Sequence, residues 1–173
     1  MVNLSDLLDY TDWERQEWHA WFAQHGVPAL KISAGPHGDG RFGVVGELVR
    51  HIFSAEKRYV ERLAGMPLTD QASIPADNVE ALFHFGQQSR TSLREFIATF
   101  PAREWEVPQE FTILNNVVRV TPRKIVIHVV LHEIRHWAQI ATLLRLQGLK
   151  GKFHDFLGSP VLGGESRRLE AKP

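Results

Sequence analysis

Four of the nine histidines in this chain stand where their side chains can act together. His128, His132 and His136 recur every four residues, and His51 lies far upstream inside an apolar run, Leu48-Val49-Arg50-His51-Ile52-Phe53. On an α-helix, four residues turn about 400° and rise about 6 Å, so successive members of the series are offset by only about 40° around the axis. His132 and His136 therefore point the same way, at a separation that one metal ion bridges, which is the geometry of helical H-x-x-x-H zinc sites. The pair needs a third ligand. His51 is the candidate, because an unpaired imidazole is an unusual choice among core residues. Spacing alone leaves two readings open: a metal centre, or buried histidines that hydrogen-bond to backbone. His128, about 80° from His136, sits at the edge of the same face and is either a proton carrier facing a substrate or a core histidine. Gln139, one turn after His136, could orient a ligand or make a helix–helix hydrogen bond. His19, His25, His37, His84 and His154 have no partner at such a spacing and read as surface or incidental residues.

Composition removes several function classes. The 173 residues include no cysteine, which excludes a disulfide framework, cysteine-containing zinc sites and a cysteine nucleophile. Lys+Arg and Asp+Glu number 20 each, so there is no basic excess to neutralise phosphates and no nucleic-acid partner is expected. A hydrophobic fraction of 43% suffices for a real core, and the length suits one domain over residues 1–173. The first residues, MVNLSDLLDYTDWERQ, carry acids where a signal peptide needs a basic start and an apolar run. Apolar stretches such as 124–131 fall far short of the roughly 20 residues of a membrane span. A cytoplasmic protein without a membrane partner is the expectation. The glycines between Gly26 and Gly43 spell no phosphate loop, and no Ser-His-Asp order or paired-carboxylate pattern competes with the histidines.

Four amphipathic helices must position these groups. The first is expected to begin after Ser5 as N-cap and to run to about Gln24, with Gly26 and Pro28 as its stop and a loop over 26–43. The second spans about Val44 to Ala64, closed by Gly65. The third starts at Asp77 and ends before Pro101. Phe111-Thr112-Ile113-Leu114 and Val117-Val118-Arg119-Val120, joined by Asn115-Asn116, read as a short β-hairpin. The fourth helix has Thr121 as N-cap and Pro122 as its first residue, and it reaches about Gln147 before Gly148. The tail over residues 150–173 is irregular, with its last residues frayed. The sum is an all-α four-helix bundle with a small hairpin between the third and fourth helices. The 66–76 connection could span roughly 36 Å, enough to cross the length of the second helix, so adjacent and crossover topologies both stay open.

The stretch His132-Glu133-Ile134-Arg135-His136-Trp137-Ala138-Gln139 resembles the H-x-x-x-H-[RW]-[GA]-Q signature of the DinB-like metal-binding four-helix-bundle superfamily, and Leu48 to Glu56 resembles the segment that supplies that family's first histidine. The resemblance covers most of the chain. It implies an up-down-down-up bundle in which His51, His132 and His136 bind one divalent transition metal, with zinc, nickel and iron all suited to imidazole. Many members have Arg-Gly where this chain has Trp137-Ala138, so an anion-binding arginine at that position is missing; Arg135, about 100° away, is a weak substitute. Relatives in the superfamily include transferases that join low-molecular-weight thiols to electrophiles. The resemblance thus implies a metal-dependent thiol transferase acting on a small molecule, with a metal-dependent hydrolase or a stress-associated, non-catalytic metal- or ligand-binding protein as alternatives. A homodimer is a further expectation for a small helical bundle.

Overall fold

The computed structural model describes residues 3–113, 115–151 and 155–163. Helix α1 (Leu4–Leu30) begins with a reciprocal capping box: Asp6 N–H donates to Asn3 Oδ1 at 3.0 Å, and Asn3 N–H donates to Asp6 Oδ2 at 2.9 Å. The cap is therefore Asn3 rather than Ser5, because Asn3 has an acid three residues on to complete the exchange. Gly26 breaks the helix at φ 65°, a conformation that side chains disfavour, but one more helical turn follows it to Leu30. The expected loop over 26–43 thus contains structure: this turn, a 3-10 turn at Gly35–His37, and a bridge between Ser33 and Val44.

Helix α2 (Val45–Leu63) closes with Gly65 at φ 65°, its N–H donating to Arg62 O at 3.2 Å while Met66 N–H donates to Glu61 O at 2.8 Å. Both bonds satisfy carbonyls that the last turn leaves open. Helix α3 (Val79–Thr99) is capped by Asn78, which accepts from Ala81 N–H at 3.0 Å; the cap falls one residue beyond Asp77. Strands β1 (Gln109–Ile113) and β2 (Asn116–Val120) pair antiparallel. Asn116 pairs with Ile113, so it belongs to the strand and not to the turn. Helix α4 (Pro122–Leu146) starts on Thr121, whose hydroxyl accepts from Lys124 N–H at 3.3 Å, with Pro122 in the first position.

Side-chain pairings fix the topology. On α1 and α3, Asp12 meets Arg90 and Arg94 while His19 meets Phe83, so the two run antiparallel. On α2 and α3, Ser89 bonds to Phe53 O and Ser92 to Lys57, so these run parallel. On α2 and α4, His51 meets His132 while Tyr59 meets His128, an antiparallel pair. The bundle is up-down-down-up. Parallel α2 and α3 require the connection to return along α2, and it does: Ile74 O accepts from Arg50 near the start of that helix. At Gly46 the return path lies so close that a Cβ would sit 1.9 Å from Ala76 O, which leaves glycine as the only residue that fits.

The core is layered. Trp18, Phe22, Phe53, Phe83 and Trp137 centre one apolar cluster; Leu8, Val60, Leu93, Val126 and Val130 centre another. Between them each helix contributes one charged residue: Arg15, Glu56, Arg90 and Glu133, all at most 7% exposed. Both arginines bond both glutamates, at 2.5 to 3.0 Å. Among the described residues no helix is long and apolar enough to cross a membrane. Part of the expected irregular tail, including His154 and residues 164–173, lies outside the described residues. Its described part holds one 3-10 turn at Phe156–Gly158, and Phe156 packs edge-on against Tyr10 at 5.2 Å.

Candidate metal centre

Along α4, neighbouring residues of the same turns face two different environments. Glu133 and Trp137 point into the core, and the Trp137 indole donates to Glu133 Oε1 at 3.1 Å while stacking on Trp18 at 5.4 Å. This pins the helix rotation and turns His132 and His136 toward α2, where His51 waits. His132 Nε2 lies 3.0 Å from His51 Nε2 and 3.1 Å from His136 Nε2. The three donor nitrogens fall within 4.8 Å of one another, and no other histidine or acid joins the group among the described residues.

One nitrogen facing two others at hydrogen-bond distance is a poor arrangement for imidazoles alone. His132 Nε2 can donate to one neighbour only and then cannot accept from the other. A shared divalent ion would resolve the crowding, and the donor set suits a transition metal. All three rings are neutral at pH 7, as ligands must be. Burial, reinforced by the neighbouring His136, pushes His51 down to about 4. Burial and the flanking His136 and His51 push His132 down to about 2. Burial also lowers His136.

Gln139 supplies the tautomer. Its Oε1 lies 2.7 Å from His136 Nδ1, and its amide NH2 group donates to His37 O, which fixes which way the amide faces. His136 Nδ1 must then carry the proton, which puts the lone pair on Nε2, the nitrogen that faces His132 and the Arg135 guanidinium. The same bonds anchor the 35–42 segment over the site, where the Phe42 ring lies 4.7 Å from His51 and 6.3 Å from His136. The residue thus works on both sides: it orients a histidine and ties down the loop that covers it.

His128 stands beside the three, its ring 5.5 Å from His132 and edge-on to Tyr59 at 5.3 Å. Burial lowers its pKa, and Arg135 adds to the effect. Both His128 and His132 line a cavity of about 520 Å³. One expectation changes here. Arg135 is at the site: its Nη2 lies 3.3 Å from His136 Nε2, because a long side chain reaches back over an angle that a helical wheel assigns only to the Cβ. Trp137, fully buried, belongs to the core and not to the site. Glu56 is paired with arginines in the core, and His19, His25 and His84 bond or stack elsewhere on α1 and α3.

No curated protein matches the chain. The model of the DinB family does, over residues 1–162, which takes in all four helices, the hairpin and every residue of the centre. Up-down-down-up helices, three converging imidazoles split between α2 and α4, and this match lead to one assignment: the chain belongs to the DinB family.

Proposed function

We propose that the protein is a metal-dependent transferase that joins a low-molecular-weight thiol to an electrophilic small molecule, with His51, His132 and His136 holding one divalent transition ion, zinc, nickel or iron. The observation that carries this reading is the convergence of three imidazole nitrogens, with no carboxylate among them, beside a cavity of about 520 Å³. A closed structural zinc site takes four protein ligands; three beside a cavity favour a site that admits a ligand from outside. Such an ion supplies the charge that keeps a coordinated thiol deprotonated at neutral pH. Because the chain has no cysteine, the thiol is a cosubstrate. The cytoplasm, where small thiols stay reduced, is the matching compartment.

The chain's own residues divide the remaining work. Gln139 keeps the His136 Nε2 lone pair directed at the centre, and Phe42 excludes water from the face of His51. His128, neutral at pH 7 and lining the cavity, accepts the proton that the thiol gives up. Elemental analysis of the purified protein tests the centre, with about one equivalent of a transition metal expected and its loss in His132→Ala. Thiols offered with a chromogenic aryl halide test the transfer. Turnover of esters without thiol would replace this reading by a hydrolase, and inertness in both assays with metal retained would leave a binding protein.

A further inference from the structure

The cavity beside the triad has an unusual wall. Five arginines line it, Arg41, Arg50, Arg58, Arg62 and Arg135, against one carboxylate, Glu47. In a chain whose formal net charge is zero, this is a local excess of positive charge around a concave space. Arg41 has Asp39 at 3.7 Å, and Arg50 has Glu47 only at 3.9 Å. Among the described residues, Arg58, Arg62 and Arg135 have no carboxylate within 4.0 Å, and the Nε–H groups of Arg50 and Arg58 are buried without a hydrogen-bond partner. Elsewhere the same chain behaves differently. Arg15, Arg90 and Arg94 each bond two or more carboxylates. Arginines retained for packing are thus matched with two or more acids here, while three of the five around the cavity have none and the other two have one each, at 3.7 and 3.9 Å.

Like charges in one concavity repel, and burial together with the neighbouring Arg58 lowers the pKa of Arg62. An anionic ligand removes that cost, and guanidinium groups suit planar or tetrahedral oxyanions because they offer paired N–H donors. We propose that this cavity takes a small molecule bearing at least two oxyanionic groups, carboxylates or phosphates, gripped by Arg50, Arg58 and Arg62 of α2, with Arg135 of α4 at the end nearest the imidazoles. The number of groups follows from the helix. Residues 50 to 62 rise about 18 Å along the axis, too far for one oxyanion to meet the whole row. The volume suits a small ligand and not a polymer, and Phe42, Tyr59 and Ile113 supply the apolar wall that such ligands also need. The inference deepens the proposed function by naming a substrate class, and it rests on that reading only for which end of the ligand reacts.

Calorimetric titration of the protein as purified, with metal content measured on the same sample, separates the two. The probes are tricarballylate for carboxylates and fructose 1,6-bisphosphate for phosphates, with trimethyl tricarballylate and fructose as neutral counterparts. At least one anion is expected to bind, tenfold or more tightly than its neutral counterpart, with affinity falling as salt rises. The double variant Arg58→Gln/Arg62→Gln should weaken binding at least tenfold while metal content and thermal midpoint stay at the wild-type level. Saturation by one probe alone identifies the anion type. Equal binding of charged and neutral probes, unchanged affinity in the double variant, or no binding at millimolar concentration overturns the proposal. If the double variant misfolds, Arg62→Lys serves instead: it keeps the charge, loses the fork, and should weaken the preferred anion several-fold. A protein that binds the anions but carries no metal refutes the metal reading alone.

Discussion

Trp137 and Glu133, one turn apart on α4, are joined by an indole N–H to carboxylate bond of 3.1 Å inside the core, and the backs of these two residues carry His132 and His136. One bond thus links the aromatic stack, the buried ion layer and the imidazole cluster. The tryptophan is a structural pin. Trp137→Arg should therefore unfold the protein or cost more than about 3 kcal/mol, without adding a useful charge to the site. Chemical denaturation measures the cost, and a change below about 1 kcal/mol would contradict the assignment of Trp137 to the core.

Chelation should separate metal from fold. Stripping with a strong chelator is expected to lower the thermal midpoint of the wild type, since binding to the native state alone stabilises by about 3–4 kcal/mol at 100 to 1,000 times Kd. His132→Ala should show no such response. Equal midpoints for wild type with and without chelator would mean that the three imidazoles bind nothing.

Gln139→Leu removes the acceptor at His136 Nδ1 and the anchor of the 35–42 segment together. Metal affinity should fall about 10- to 100-fold, the usual effect of losing a group that orients a ligand. Gln139→Glu, which keeps the acceptor, should recover most of it. Competition against a chromophoric chelator reads both.

In the metal-free protein, acid should be destabilising in a defined window. His51 and His132 are held neutral well below the ordinary 6.5, His51 at about 4, so the unfolded chain binds more protons over that range. Their contribution is complete above about pH 6.5 and is lost as pH falls toward 4. Urea midpoints at pH 7.5, 6 and 5 should decline in that order. His51→Gln should flatten the decline, and a profile level across that range would refute the burial of these rings as neutral bases.

Glu133→Gln tests the ion layer. Arg15 and Arg90 hold the Glu133 carboxyl below the usual range, with hydrogen bonds from Arg15 and Trp137 adding to the effect. Removing one charge leaves a buried guanidinium excess, and about 3–5 kcal/mol of stability should go with it. A loss under about 1 kcal/mol would mean that water reaches the layer.

Much of this was legible before any coordinates. The four helices follow from 3.6-residue periodicity, and α4 in particular from Thr121-Pro122 at one end and Gly148 at the other, signals that are local and hence readable. His132 and His136 declared themselves through spacing on one helix. His51 stood out as an imidazole inside an apolar run, and the family resemblance joined it to the pair on the other helix. The ion layer was missed for a physical reason: Arg15, Glu56, Arg90 and Glu133 are single charges on separate helices, and a lone charge reads as a solvated one. A signal existed, since each interrupts an apolar stripe, as Glu56 does between Phe53 and Val60. The arginine wall was hidden by its own counterweight, because acids elsewhere bring the whole chain to neutrality. Asn3 and Asn78 displaced Ser5 and Asp77 as caps because several adjacent residues could cap, and only backbone geometry chooses.

The charged layer between two greasy ones has a consequence for alignment. Apolar surfaces tolerate sliding, since one leucine meets another nearly as well a turn away. Two glutamates and two arginines do not: displacing α4 by one turn would take Glu133 away from Arg15 and Arg90 and leave a buried carboxylate without its partners. Helix α4 therefore has one permitted register against its three neighbours, and the imidazole positions inherit that tolerance. An all-apolar replacement of the four would be a fair test of this idea. It should fold, and its three imidazoles should bind a transition ion more weakly than the wild type does, because nothing would then forbid the helix from shifting.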